Sequence, residues 1–141
     1  MSYSILIVAD SPPMRSVIKR TLKAAGFGKT EPLEAGNGKE ALDLLKANWV
    51  DMILTDYNMP VMNGLDFIRS VKQDDLARDI PVVVISTEGN ESRIKEFMDC
   101  GAAGYIAKPF TPESIRDLIV NILGEVEYEE DFDDTDDEFD F

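Results

Sequence analysis

From residue 4 to about residue 123 the chain alternates short apolar runs with amphipathic segments. SILIVA (residues 4–9) precedes a segment from about Pro12 in which Met14, Val17, Ile18 and Leu22 recur at helical spacing. TEPLEA leads into KEALDLLKA, VDMILTD into LDFIRSVK, and IPVVVIS into ESRIKEFMDC. A short GYIA run then precedes a last helix from Pro112 to about Leu123, with Ile115, Leu118, Ile119 and Ile122 along one face. Continuous apolar runs of this length predict buried strands, and the 3.6-residue spacing predicts helices, so the order strand–helix repeats through five units. Such alternation predicts an α/β fold: a doubly wound (βα)5 three-layer sandwich, its parallel sheet covered by helices on both faces. The apolar first, third and fourth strands suit the middle of the sheet. Ser11 can cap the first helix with Pro12 in its first turn, Thr111 and Pro112 repeat the device, and Gly26 and Gly101 suit helix ends.

With 141 residues, 44% of them apolar, the chain can bury one core but not two. The formal net charge of -14 argues against nucleic acid and anionic membrane as direct partners. That charge is unevenly placed. Residues 125–141, EVEYEEDFDDTDDEFDF, hold 11 of the 28 acids and no Lys or Arg, which leaves 17 acids against 14 bases upstream. Self-repulsion and a lack of aliphatic residues make this segment a disordered tail in expectation, so the chain divides into a domain at 1–124 and an acidic tail at 125–141. The single cysteine, Cys100, allows no internal disulfide, and no secretory leader or long apolar run is seen, which points to the cytoplasm. The complete absence of histidine removes imidazole acid–base catalysis, serine-type triads and histidine metal sites, leaving carboxylates, hydroxyls and lysines.

In an open parallel sheet the functional crevice lies beyond the carboxyl ends of the strands. Asp10 follows the first strand, Asp56 ends the third, Ser86 ends the fourth and Lys108 follows the fifth. Each alone could serve a turn or simply face solvent. Together, two carboxylates suit a hard cation such as Mg2+, and a hydroxyl and a lysine suit phosphoryl oxygens, with an aspartate as the plausible nucleophile. This is the outline of a phosphoryl-transfer site.

LTDYNMPVMNG (residues 54–64), IST with Glu88 after it, and GYIAKPF (residues 104–110) occur in order and at a spacing that resembles the response-regulator receiver family, most closely the single-domain chemotaxis regulators of CheY type. The resemblance spans residues 4 to about 123 and implies a flavodoxin-like sheet of order 2-1-3-4-5. It implies that Asp56 is the phosphoacceptor, that Mg2+ is held by Asp10, Asp56 and the backbone carbonyl of Asn58, and that Ser86 and Lys108 bind the phosphoryl group. Ser86 and Tyr105 match the switch pair, Asn58 and Glu88 the positions that tune autodephosphorylation, and Lys108–Pro109 the family's cis peptide. The implied role is that of a single-domain response regulator in a two-component or phosphorelay system. It would take a phosphoryl group from a histidine kinase or phosphotransfer protein and signal to a downstream protein, catalysing nothing beyond its own phosphorylation and dephosphorylation. One departure stands out: Ala9 occupies the place of the first of the family's two adjacent acids, which weakens the expected Mg2+ site. The alternative is a phosphorylation-independent receiver acting as a protein-interaction module. A phosphatase of haloacid-dehalogenase type is disfavoured, because the acid it needs two residues after the nucleophile is here Asn58.

Other features carry less chemistry. GFGKT (residues 26–30) lacks the first glycine of a phosphate-binding loop, Lys23 standing there, and reads as a helix end. Cys100 reads as a packed thiol late in the fourth helix, and Trp49 as part of the core. Arg15, Lys19 and Lys23, with Arg20 beside them, form a basic stripe on the first helix, read first as a solvated face. The 17-residue tail, with Tyr128, Phe132, Phe139 and Phe141 among its acids, is long enough to reach that stripe and compete with a phosphodonor, or to dock a target.

Overall fold

In β1 (Ile5–Val8) and β3 (Met52–Asp56) every residue is buried, which requires a sheet covered on both faces. The computed structural model describes residues 3–27, 31–57, 62–86, 91–108 and 111–124. Between these strands the chain forms α1 (Pro12–Ala24), β2 (Leu33–Ala35) and α2 (Gly38–Ala47). After β3 come α3 (Gly64–Gln73), β4 (Val82–Ser86), α4 (Glu91–Asp99), β5 (Gly104–Ala107) and α5 (Pro112–Leu123). The five strands pair in parallel in the order β2-β1-β3-β4-β5, as the family resemblance implies, with the most apolar runs in the middle.

Alternation along each strand sorts the core into two halves. Leu6, Val8, Ile53, Val82 and Val84 face Ala41 and Leu45 of α2, Phe67, Ile68 and Val71 of α3, and Phe97 of α4. Ile5, Ile7, Met52, Leu54, Val83, Ile85 and Ile106 face Ile18 and Leu22 of α1 and Ile115 and Ile119 of α5. The helix starts follow the expected chemistry. Ser11 accepts from Met14 N at 3.2 Å, and Thr111 forms a reciprocal capping box with Ser114. Gly26 and Gly101 adopt φ of +101° and +107° beyond the ends of α1 and α4, a conformation that glycine adopts without strain.

Two expectations need correction, and a third, the packed Cys100, holds but for its place one residue past α4. Trp49 is 80% exposed rather than part of the core, because the α2–β3 turn aims it outward, where its indole N–H donates to Asp51 Oδ1 at 2.9 Å. Val17 is 40% exposed at the edge of the apolar stripe, whose buried members are Ile18 and Leu22. Cys100 lies just past the end of α4, half-buried against the α2–α4 side of the core. The expected disordered tail at 125–141 and the last three residues of GFGKT lie outside the described residues.

Candidate functional site

The sheet register brings the expected residues to one end of the strands. Val8 of β1 lies beside Thr55 of β3, so Asp10, two residues beyond Val8, follows the strand next to the one that Asp56 ends. Asp56 lies beside Ile85 of β4, Ser86 beside Ala107 of β5, and Lys108 follows at once. Asp10 is exposed, whereas Asp56 is one of two buried polar residues among those described, the other being Thr55. Lys108 Nζ lies 3.3 Å from Asp56 Oδ1 and 3.4 Å from Oδ2, an ion pair across two strands with both side chains largely withdrawn from water. A carboxylate so placed has a cation fixed beside it. Asn58, Glu88 and Pro109, expected at this site, lie outside the described residues; Ser86 is placed by its backbone.

Oxygen donors from Asp10 and Asp56 match the chemistry of a hard divalent cation that retains several waters. Among the described residues no group of three or more His, Cys, Asp or Glu comes together as a metal cluster. Ala9 is fully buried and offers the site no side-chain oxygen. Its carbonyl instead accepts from Arg15 Nη1 at 2.5 Å, and Arg15 Nε donates to Glu34 Oε1 at 3.0 Å. The basic stripe of α1 is thus divided. Arg15 and Lys19 are tied to β2 through Glu34, while Lys19 also reaches Glu31 at 3.1 Å. The hydrogen bond from Lys19 holds the Glu34 carboxyl below the usual glutamate range, and the same bond raises Lys19 above the usual lysine value.

Several residues around the site gave little warning in the sequence. Tyr57, immediately after Asp56, packs on Phe97 of α4 with ring centroids 5.3 Å apart, and Phe97 stacks on Tyr105 at 5.7 Å. Arg93 of α4 covers the Tyr57 ring at 4.8 Å and donates from Nη1 to its hydroxyl. A continuous run of rings therefore joins the residue beside Asp56 to the half-buried Tyr105. In the sequence Phe97 read as one more apolar residue on a helix. Gly64 is favoured by close approach: a Cβ there would lie 3.2 Å from the Asp56 carbonyl oxygen and 3.1 Å from Tyr57 Cα, tight contacts that the backbone would have to relieve. The MNG end of the quoted motif held that signal without revealing its reason.

Comparison with known proteins agrees with this fold. The chemotaxis protein CheY1 of Helicobacter pylori is 40% identical over 121 residues, covering 85% of this chain and 96% of that protein. The crystallised chemotaxis regulator CheY4 of Vibrio cholerae superposes with a TM-score of 0.77 at 31% identity, covering 86% of this chain and 99% of that one. The receiver domain of a Pseudomonas aeruginosa sensor histidine kinase, which holds a magnesium ion in its active-site cleft, shares the fold with a TM-score of 0.77 at 22% identity, covering 89% of this chain and all of that one. The family model of the response regulator receiver domain matches residues 5–120, so the strand-end cluster around Asp56 sits in a chain that belongs to the receiver family and is a response regulator of CheY type.

Proposed function

We propose that this chain accepts a phosphoryl group on Asp56 from the phosphohistidine of a histidine kinase or phosphotransfer protein, and in doing so changes a surface read by a downstream protein. The observation that carries this reading is the Asp56–Lys108 ion pair, which joins the carboxyl end of central β3 to that of edge strand β5. An Asp56 oxygen attacks phosphorus, the P–N bond breaks and its electron pair returns to the imidazole nitrogen of the donor. Lys108 moves from the carboxylate toward a phosphoryl oxygen, and Ser86 binds another. The donor set fits Mg2+, with Asp10, Asp56 and the Asn58 carbonyl holding it, as the Pseudomonas domain holds magnesium in its cleft. Bound there, the ion supplies neutralisation of the charge that the carboxylates and phosphoryl oxygens bring together. Hydrolysis of the acyl phosphate by water restores the carboxylate, with Asn58 and Glu88 setting its rate. Ser86 and Tyr105 form the switch, and the ring run through Phe97 gives that switch a path to α4.

Titration of the labelled protein with Mg2+ and then with beryllofluoride, a phosphoryl mimic, tests the reading. Amide shifts centred on Asp10, Asp56, Ser86 and Lys108, spreading to Tyr105 and lost in Asp56→Asn, are the expected result. No response at millimolar Mg2+ favours the phosphorylation-independent module, the reading toward which Ala9 leans; undiminished signalling by Asp56→Asn in cells would establish it.

A further inference from the structure

We propose that the acidic segment 125–141 of this chain seats on the C-terminal half of α1, in a groove walled by Lys19, Arg20 and Lys23. The groove encloses about 250 Å³ and is completed by Phe27, Glu31 and Pro32. Helix α1 carries four bases and no acid. Arg15 and Lys19 are committed to Glu34, but Arg20 and Lys23 are exposed and have no ion-pair partner among the described residues. The groove is therefore a cationic site at one end of a stripe whose other end is already neutralised.

Helix α5, after which the segment follows in sequence, ends beside this groove. The Tyr3 hydroxyl donates to the carbonyl of Leu123, the last residue of α5, at 3.4 Å, and the Tyr3 ring stacks on Phe27 with centroids 6.5 Å apart. One hydrogen bond and one ring stack thus link the end of α5 to the wall of the groove. Four or five extended residues, at roughly 3.3 Å each, outreach a link made of one 3.4 Å hydrogen bond, one tyrosine ring and one 6.5 Å ring stack. Glu127, Glu129, Glu130 and Asp131 follow at that separation, within a segment of 11 acids and no base. Tethering holds the segment at an effective concentration in the millimolar range, so a weak electrostatic contact is enough. A second groove, beside Trp49 and Leu76, sets Asp51 and Asp79 against Lys46 and lacks the cationic wall that such a segment needs. An acidic surface on another protein must displace the tail before it can use this half of α1. The inference stands whether or not Asp56 is phosphorylated.

The test uses the full chain with a nitroxide attached through Phe132→Cys in a Cys100→Ser background. Near 0.01 M salt, where the Debye length is about 30 Å, the label should broaden the amides of residues 19–27 and 31–33. Near 1 M salt, where it falls to about 3 Å, or in Arg20→Gln/Lys23→Gln, the broadening should vanish. A label-free arm guards against a misfolded labelled protein: in the otherwise unmodified chain, Arg20→Gln/Lys23→Gln should shift the amides of residues 125–135. Broadening spread evenly over the domain, broadening centred on Trp49 and Leu76, or tail amides unmoved by the double substitution at low salt would each overturn the proposal.

Discussion

Lys108 and Ala9 decide how far this site can work. Lys108 lies 3.3 Å from Asp56, and in the proposed function it stands beside the oxygen that attacks phosphorus. Replacing a fixed stabiliser of developing charge typically costs on the order of 100-fold in rate. Lys108→Ala should therefore slow phosphorylation by a small acyl-phosphate donor by about that factor, measured under saturating Mg2+, while leaving the amide pattern of the α1–α5 side unchanged. Ala9 poses the opposite case, because the position is fully buried and its carbonyl is already held by Arg15. A carboxylate introduced there is desolvated, and an unsatisfied buried polar group costs roughly 1–3 kcal/mol. Ala9→Asp should melt lower than the parent in chelator and recover much of the loss in Mg2+, with tighter Mg2+ binding in the same titration. Equal melting temperatures with and without Mg2+ would show that the new carboxylate does not reach the ion. In the sequence Ala9 was visible as a departure, but nothing there indicated that Arg15, four residues from Lys19 on an apparent surface stripe, would turn to cap its carbonyl.

At the scale of elements, the strands were legible because a parallel sheet covered on both faces leaves little choice about where continuous apolar runs can go. The helix caps were legible for an equally local reason, since Ser11 and Thr111 satisfy backbone N–H groups within their own first turn. Contacts between elements were not. Trp49 and Val17 read as apolar residues and so as core, whereas exposure depends on which way a turn leaves the sheet and on how wide a helix face its neighbours cover. The Phe97 ring run is invisible for the same reason, as three residues far apart in sequence meet only once α4 packs on the sheet. The α1–β2 tie gives the element scale its own prediction. Glu34 is held below the usual glutamate range by the hydrogen bond from Lys19, so its contribution to stability is present above that range and is lost as pH falls through the lowered folded value. Lys19 is raised, so its share is present below the usual lysine value and is lost as pH rises through the higher folded one. Glu34→Gln should thus lower the melting temperature modestly at neutral pH. The gap between variant and parent should close in acid; a gap that persists well below the glutamate range would mean the residue acts by packing rather than charge.

Over the whole molecule, the two ends of the sheet are built for different purposes. Asp10, Asp56, Ser86 and Lys108 gather at the carboxyl ends of the strands, and among the described residues no helix is long and apolar enough to cross a membrane. Trp49 stands at the opposite end, just before β3, and the seven residues from it to Asp56 span roughly 20 Å of largely extended chain. As the sole tryptophan, 80% exposed, it dominates the protein's ultraviolet emission yet is far from Asp56. Its fluorescence should be red-shifted, readily quenched by acrylamide, and the same before and after beryllofluoride is added. A change of more than a few per cent would mean that occupancy of the crevice is felt across the whole sheet. For this chain the natural fluorophore is a reference channel rather than a sensor: already in water when folded, it reports concentration and changes little on switching or unfolding, and a kinetic assay of switching needs a dye or an isotope placed near Tyr105.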